Sequence, residues 1–249
     1  MERESVTRPG RCIIVGAGDF FGFPFAPDEG DMVIAADAGY RNCRAAGVRP
    51  DLIVGDFDSM HINGVRGETG PVRDIDIYAD AERAEYLRHL EKRELDGIPV
   101  CVIDPVKNDP DLLACARIGL EKGFRRFVFL GATGQRMDHS IANLGILGFL
   151  SQMGAKGFLY GESQIVTAIT DEKAVFPEEM EGYLSVLPLS DRAEGVTESG
   201  LKYILHDAVL YNTIPTGLSN EFVGTVSSIS VRKGTLLLIF SCTGKNPLL

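Results

Sequence analysis

The chain opens with short, almost unbroken apolar runs, each ending in glycine or acidic residues. Cys12-Ile13-Ile14-Val15 enters Gly16-Ala17-Gly18-Asp19, and Met32-Val33-Ile34-Ala35-Ala36 enters Asp37-Ala38-Gly39 and a short helix through about Ala46. Leu52-Ile53-Val54 enters Gly55-Asp56-Phe57-Asp58-Ser59. Residues 79–95 read as an exposed amphipathic helix, with Ala84, Leu87 and Leu90 on one side and charges elsewhere. A fourth strand is predicted at 99–103, a helix at 111–121, a fifth strand at 127–130 and an apolar helix at 138–150. Strands that are apolar throughout, rather than at alternate positions, are buried on both faces, so with intervening helices they predict a parallel α/β sheet.

From about residue 155 the pattern becomes strand-only. Segments 157–160, 164–170, 183–188, 208–211, 225–231 and 235–241 are separated at short intervals by Gly, Pro, Asn and Asp, as an antiparallel sandwich or barrel requires. The predicted fold class is α/β plus all-β: an N-terminal parallel-sheet α/β domain followed by a C-terminal antiparallel β-sandwich. The boundary is expected at 151–155, giving domains 1–152 and 153–249.

Composition narrows the function. The 249 residues are 45% hydrophobic and 24% charged, enough for a full core. A net charge of −10 argues against a nucleic-acid partner, because a phosphate backbone recruits basic faces. An acidic enzyme still binds a nucleotide when metal ions screen its phosphates. Cys12, Cys43, Cys101, Cys115 and Cys242 are scattered, without a C-x-x-C, and read as buried apolar residues in a reducing compartment. His61, His89, His139 and His206 have no zinc spacing. No apolar run reaches about 18 residues, so no membrane span is expected, and residues 1–11 do not resemble a signal peptide. A cytoplasmic enzyme is expected.

Ligands of open parallel sheets bind outside the carboxyl ends of the strands. Five polar or glycine-rich clusters fall at predicted strand ends: 16–19, 37–39, 55–59, 104–111 and 131–139. Magnesium takes hard oxygen ligands, usually one or two carboxylates plus substrate phosphates. Asp56 and Asp58, two apart after a strand, suit that task, and Gly55 lets the backbone approach phosphate closely. The competing reading of this pair is a turn with solvated aspartates. Asp109 before Pro110 reads equally as a helix cap, and Asp111 and Asp138 equally as first-turn acids that favour the helix dipole. Arg136 suits phosphate or a neighbouring carboxylate; His139 suits a proton carrier or a packed histidine. Asp37, Gly131 and Thr133 belong to the same set of strand-end loops. The chain lacks G-x-x-x-x-G-K-[ST], and Gly16-x-Gly18 is only a fragment of a dinucleotide fingerprint.

Four segments, in order, resemble the thiamine pyrophosphokinase family. Pro50-Asp51-Leu52-Ile53-Val54-Gly55-Asp56-Phe57-Asp58-Ser59 is similar to its P-D-x-x-x-G-D-x-D-S signature, and Gly131-Ala132-Thr133-Gly134-Gln135-Arg136-Met137-Asp138-His139 to its G-x-x-G-x-R-x-D-H segment. Gly200-Leu201-Lys202-Tyr203 and Ser219-Asn220-Glu221 match its G-L-K-Y and S-N-E landmarks. The resemblance implies a homodimer with sites at the subunit interface, and transfer of pyrophosphate from ATP to thiamine, giving thiamine diphosphate and AMP. It implies Mg2+ on Asp56 and Asp58, completed by the run from Lys107 to Asp111 with Asp109 as a further ligand, and Ser219 and Asn220 near the thiamine pyrimidine. Asp109 or Asp111 would add a ligand or orient the hydroxyl, Arg136 would stabilise phosphate charge, and Asp138 would anchor the loop or the substrate. The sequence departs from the pattern at Asn108 and Pro110, where the family carries Asp and Thr. It also has a long segment at 60–95 and no tryptophan. Asn108 keeps open one rival, a nucleotide- or thiamine-binding regulator without activity, and a second, transfer to a different small alcohol, stays open because the S-N-E region says little about the ligand.

Overall fold

The computed structural model describes residues 10–55, 94–102, 110–241 and 246–249. The strands of the α/β part are β1 (Cys12–Val15), β2 (Met32–Ala36), β3 (Leu52–Gly55), β4 (Glu94–Leu95), β5 (Ile98–Val102), β6 (Arg126–Leu130) and β7 (Lys156–Tyr160). Its helices are α1 (Gly39–Ala45), α2 (Asp111–Glu121) and α3 (Met137–Gln152). Then follow β8 (Gln164–Thr170), β9 (Lys173–Phe176), β10 (Tyr183–Pro188), β11 (Arg192–Ser199), β12 (Ala208–Tyr211), β13 (Asn220–Glu221), β14 (Ser227–Ser230) and β15 (Thr235–Ser241).

Among the described residues, eleven strands form one sheet in the order β13-β10-β15-β8-β7-β6-β1-β2-β3-β5-β4, and four form a second, β12-β11-β14-β9. The pairs linking β7, β6, β1, β2, β3 and β5 are all parallel, as the unbroken apolar runs require. Helices α2 and α3 cover one face, packing Ala114, Cys115, Ile118, Ile146, Leu147 and Leu150 against Cys12, Ile14, Ile34, Phe127 and Phe129. On the other face Ile13, Val15, Val33, Ala35 and Val128 meet Tyr40 and Cys43 of α1 together with Phe20, Phe23 and Phe25. The antiparallel end of the large sheet closes on the small sheet. Leu184, Val186, Leu236, Leu238 and Phe240 meet Phe176, Ala193, Val196 and Ile229 in a single sandwich core. The predicted fold class is therefore the observed one.

Several local expectations change. Strand β7 pairs in parallel with β6, and the direction reverses only between β7 and β8. The chain is strand-only after Gln152, as expected from about residue 155, but β7 still belongs to the parallel part and the switch to antiparallel pairing comes after Tyr160, with no break in the sheet. The helix expected over 79–95 does not include its last two residues: Glu94 and Leu95 form β4 and pair with Pro99 and Ile98. The turn is Asp96-Gly97, both with positive φ (53° and 69°), the signature of a two-residue hairpin; residues 79–93 of that expectation lie outside the described residues. Helix α2 begins one residue later than a proline at its first position would give. Pro110 itself occupies the capping position, with ψ 148°. Strands β9, β11 and β13 were not anticipated.

Cys12, Cys43, Cys101 and Cys115 are buried, as expected, and desolvation pushes the Cys43 thiol up to about 12; Cys242 lies outside the described residues. No helix among the described residues is long and apolar enough to cross a membrane.

Phe176 is fully buried, and its ring meets Phe222 and Phe240 at 5.4 and 5.2 Å. Phe176→Ala is expected to destabilise the chain by about 3–5 kcal/mol, read as a lower urea midpoint at constant slope.

Candidate functional site at the strand edge

Strand β1 lies between β6 and β2, and the chain builds outward from it first through β2, β3 and β5, then back through β6 and β7. The reversal between β1 and β6 is a topological switch point, where loops leave neighbouring strands and a crevice for ligands opens. Both loops there belong to the predicted clusters. Gly16 N–H donates to the Leu130 carbonyl at 2.8 Å, Gly18 N–H to the Gly131 carbonyl at 2.8 Å, and Asp19 N–H to the Thr133 carbonyl at 2.7 Å. The backbones approach so closely that side chains are excluded. A Cβ on Gly16 would lie 2.5 Å from the Gly131 carbonyl oxygen, and one on Gly18 would overlap that of Thr133. Gly131 also has a φ of 60°, which favours glycine. The Asn42 amide donates to the Gly16 carbonyl at 2.8 Å, a tie from α1 that no local motif announced.

The neighbouring strand ends join this edge. Asp37 has a left-handed φ of 46°, and its N–H donates to the Val54 carbonyl at 2.7 Å. Gly55 ends β3 against it: a Cβ there would lie 3.1 Å from the Asp37 Cα. Asp56, Asp58 and Ser59 follow directly, but they lie outside the described residues, as do Lys107, Asn108 and Asp109. Asp111 opens α2.

The segment after Gly131 runs into α3. Arg136 and Asp138 form a two-point ion pair, with Nε to Oδ1 at 3.1 Å and Nη2 to Oδ2 at 2.5 Å, and both side chains are exposed. The guanidinium bonds hold the Asp138 carboxyl down at about 2. His139 is exposed in the first turn of α3, not packed. The buried Asn143 amide donates to the Ala132 carbonyl at 2.6 Å, fixing the loop to the helix. Among the described residues no group of three or more His, Cys, Asp and Glu is placed to hold a metal.

A second cluster lies in the sandwich, where the G-L-K-Y and S-N-E landmarks meet. Lys202 N–H donates to the Glu221 carbonyl at 3.0 Å, and their side chains pair at 2.6 Å. Tyr203 N–H donates to Asn220 Oδ1 at 3.0 Å, and Asn220 Nδ2 donates to the Tyr203 carbonyl at 2.8 Å. Ser219 is exposed, with a φ of 57°, and its N–H donates to Ser185 Oγ. Asn220 is 5% exposed. The further residue there, unmarked in the sequence reading, is Glu198, whose Oε2 accepts from Asn220 Nδ2 at 2.8 Å.

These features define a class: an α/β sheet whose switch-point loops are bonded backbone to backbone, continuous with an antiparallel sandwich. The family model described as the thiamin pyrophosphokinase vitamin B1 binding domain matches residues 172–236. The thiamine pyrophosphokinase of Bacillus subtilis is 26% identical over 216 residues, 86% of this chain and 89% of that protein. Among solved structures, the B. subtilis thiamine pyrophosphokinase superposes with a TM-score of 0.70 at 24% identity, covering 93% of this chain and 99% of its own. The Geobacillus thermodenitrificans thiamin pyrophosphokinase gives 0.69 at 22%, covering 96% and 100%. The Candida albicans thiamin pyrophosphokinase gives 0.60 at 15%, covering 93% and 90%. The chain is thus similar to thiamine pyrophosphokinases along most of its length, and to their vitamin B1 binding domain over 172–236.

The Arg136–Asp138 pair gives a direct test of the edge. A depressed carboxyl pKa means that the pair is complete above the ordinary aspartate value of about 3.9. It is lost only as pH falls through about 2. Arg136→Ala is expected to return the Asp138 titration to near the ordinary value, followed by carboxyl-carbon NMR.

Proposed function

We propose that the chain catalyses Mg2+-dependent transfer of pyrophosphate from ATP to the hydroxyl of thiamine, releasing AMP. What carries this reading is the combination of the match to the vitamin B1 binding domain over 172–236 with the switch point between β6 and β1 in the middle of the large sheet. On this reading, residues 1–152 bind the nucleotide and residues 153–249 bind thiamine and pair two copies. Exposed Ile204, Val209, Tyr211, Ile214, Leu218 and Val226 favour pairing, since large apolar side chains so clustered in sequence usually await a partner. Buried, undissociated thiols suit a reducing, cytoplasmic setting.

The chemistry asks for positioning more than for covalent participation. Gly16, Gly18 and Gly131 let the loops after β1 and β6 close on each other backbone to backbone, which fixes the edge at which the phosphates would sit. Arg136 offers two N–H groups in a fork that matches a phosphate edge as well as it matches Asp138. Asp138 anchors the loop through that same pair, and His139, exposed beside it, is free of any packing duty. The fit for magnesium rests on β3: its end is pressed against Asp37 through Gly55, so the chain is delivered at the strand edge just where Asp56 and Asp58 begin. Asp56, Asp58 and Asp109 are the proposed ligands, with Lys107, Ser59, Asp37, Thr133 and Asp111 around the phosphates. When bound, magnesium neutralises charge on the phosphate oxygens. In the sandwich, Ser219 offers an exposed hydroxyl to thiamine, beside Asn220.

Asp56→Asn and Asp58→Asn are each expected to abolish thiamine-dependent AMP release while leaving the circular dichroism spectrum and melting temperature close to those of the wild type. Near-normal turnover in either would refute the assignment. AMP formed only with another alcohol, or thiamine and ATP bound without AMP, would replace it with one of the two rivals.

A further inference from the structure

We infer that Glu198 is a positioning residue for the acceptor site: through Asn220 it holds the backbone of Tyr203 and the corner at Ser219 in the shape that receives thiamine. The inference rests on the proposed reading that the sandwich binds thiamine.

Glu198 is an unusual residue for its place. It lies on β11 of the small sheet, is 3% exposed, and faces Asn220 on β13 at the edge of the large sheet. Burying a carboxylate is costly unless donors compensate it. Here desolvation raises the Glu198 carboxyl above the usual range, and the bond from Asn220 works in the opposite direction. The compensating donor, Asn220 Nδ2, sits at 2.8 Å.

The amide of Asn220 is fully used. Oδ1 accepts from Tyr203 N–H at 3.0 Å and from Glu221 N–H at 2.9 Å; Nδ2 donates to Glu198 and to the Tyr203 carbonyl, both at 2.8 Å. Two acceptor positions and two donor hydrogens are all a carboxamide has. Asn220 is therefore a linchpin, and Glu198 supplies the one side-chain contact of the four, the acceptor that tethers its amide to the small sheet. With oxygen and nitrogen exchanged, Nδ2 would face two N–H donors, and Oδ1 would face a carbonyl and a carboxylate.

What the linchpin holds is exposed. Tyr203 and Ile204 are 60% and 69% exposed, although the Tyr203 backbone is gripped at both N–H and C=O. Ser219 keeps a left-handed φ of 57°, which a non-glycine residue retains only where its surroundings fix it. Rigid backbone beneath exposed side chains is the arrangement that lowers the ordering cost of binding. A residue serving stability alone at a buried strand position would more simply be apolar, since well-packed hydrophobes commonly replace buried charged networks without loss.

The test uses the full chain as wild type, Glu198→Gln, Glu198→Met and Glu198→Ala, with thiamine affinity by calorimetry, KM for thiamine and for ATP from AMP release, and Tm. Glu198→Met removes the acceptor at similar volume. It is expected to weaken thiamine about tenfold or more, with ATP KM within about twofold and the variant still folded at a Tm lowered by several degrees, because one buried Asn220 donor is left unpaired. Glu198→Gln still offers Asn220 an oxygen and is expected to bind thiamine within about twofold of wild type. Wild-type thiamine affinity in a folded Met or Ala variant would overturn the inference. So would a parallel loss for ATP, a Gln variant as weak as Met, or failure of both Met and Ala variants to fold. A wild type that binds thiamine without releasing AMP refutes the transfer reading alone and leaves this comparison valid; a wild type that binds no thiamine removes both.

Discussion

The structure depends on the reversal of strand order between β1 and β6. Because β1 is paired on both sides, its exit loop cannot continue in the plane of the sheet, and neither can that of β6. The two loops rise from adjacent strands and are bonded to each other through Gly16, Gly18 and Asp19. That contact is possible only without side chains, so glycine at 16, 18 and 131 follows from topology rather than from any ligand. The same backbone contact fixes the edge where, on the proposed reading, phosphate binds.

Strand β7 carries this organisation into the rest of the chain. It is parallel to β6 and antiparallel to β8, so a single strand changes the sheet from one regime to the other. No hinge in the hydrogen-bond ladder separates the crevice from the sandwich. Thr167 reinforces the join, its hydroxyl donating to the Gly157 carbonyl of β7 at 2.7 Å.

Much of this was legible because doubly covered strands leave a strong mark: β1, β2, β3 and β6 are apolar at nearly every position. What was missed has physical causes. Strand β11 reads as polar because a bulge at Gly195, with φ 69°, resets its alternation between Glu194 and Val196; Ala193 and Val196 are both buried, three apart. The Asp96-Gly97 hairpin was hidden by a helical pattern running into it, although Asp-Gly is a strong turn signal. The strand-end clusters could be read as a set, but not which of them touch, since hydrogen bonds between loops of β1 and β6 join positions more than 110 residues apart. Glu198 left no mark, because nothing in a sequence distinguishes a buried glutamate from a solvated one when a bulge has erased the period.

The charge balance of the edge follows from the same geometry. If a chain of net charge −10 is to bind a polyanion, as proposed, it must present cations locally without fixing them elsewhere too firmly. Arg136 is paired with Asp138, yet both are exposed, at 70% and 63% of their side-chain areas. Solvent screens an exposed pair, so on the proposed reading exchanging Asp138 for a phosphate costs little. Asp138 meanwhile holds the guanidinium at the start of α3 by two hydrogen bonds. A buried pair would hold Arg136 more rigidly but would forfeit that exchange, because its separation would strand a desolvated charge. The exposure of this pair is thus what lets an acidic protein keep an arginine available for an anionic ligand.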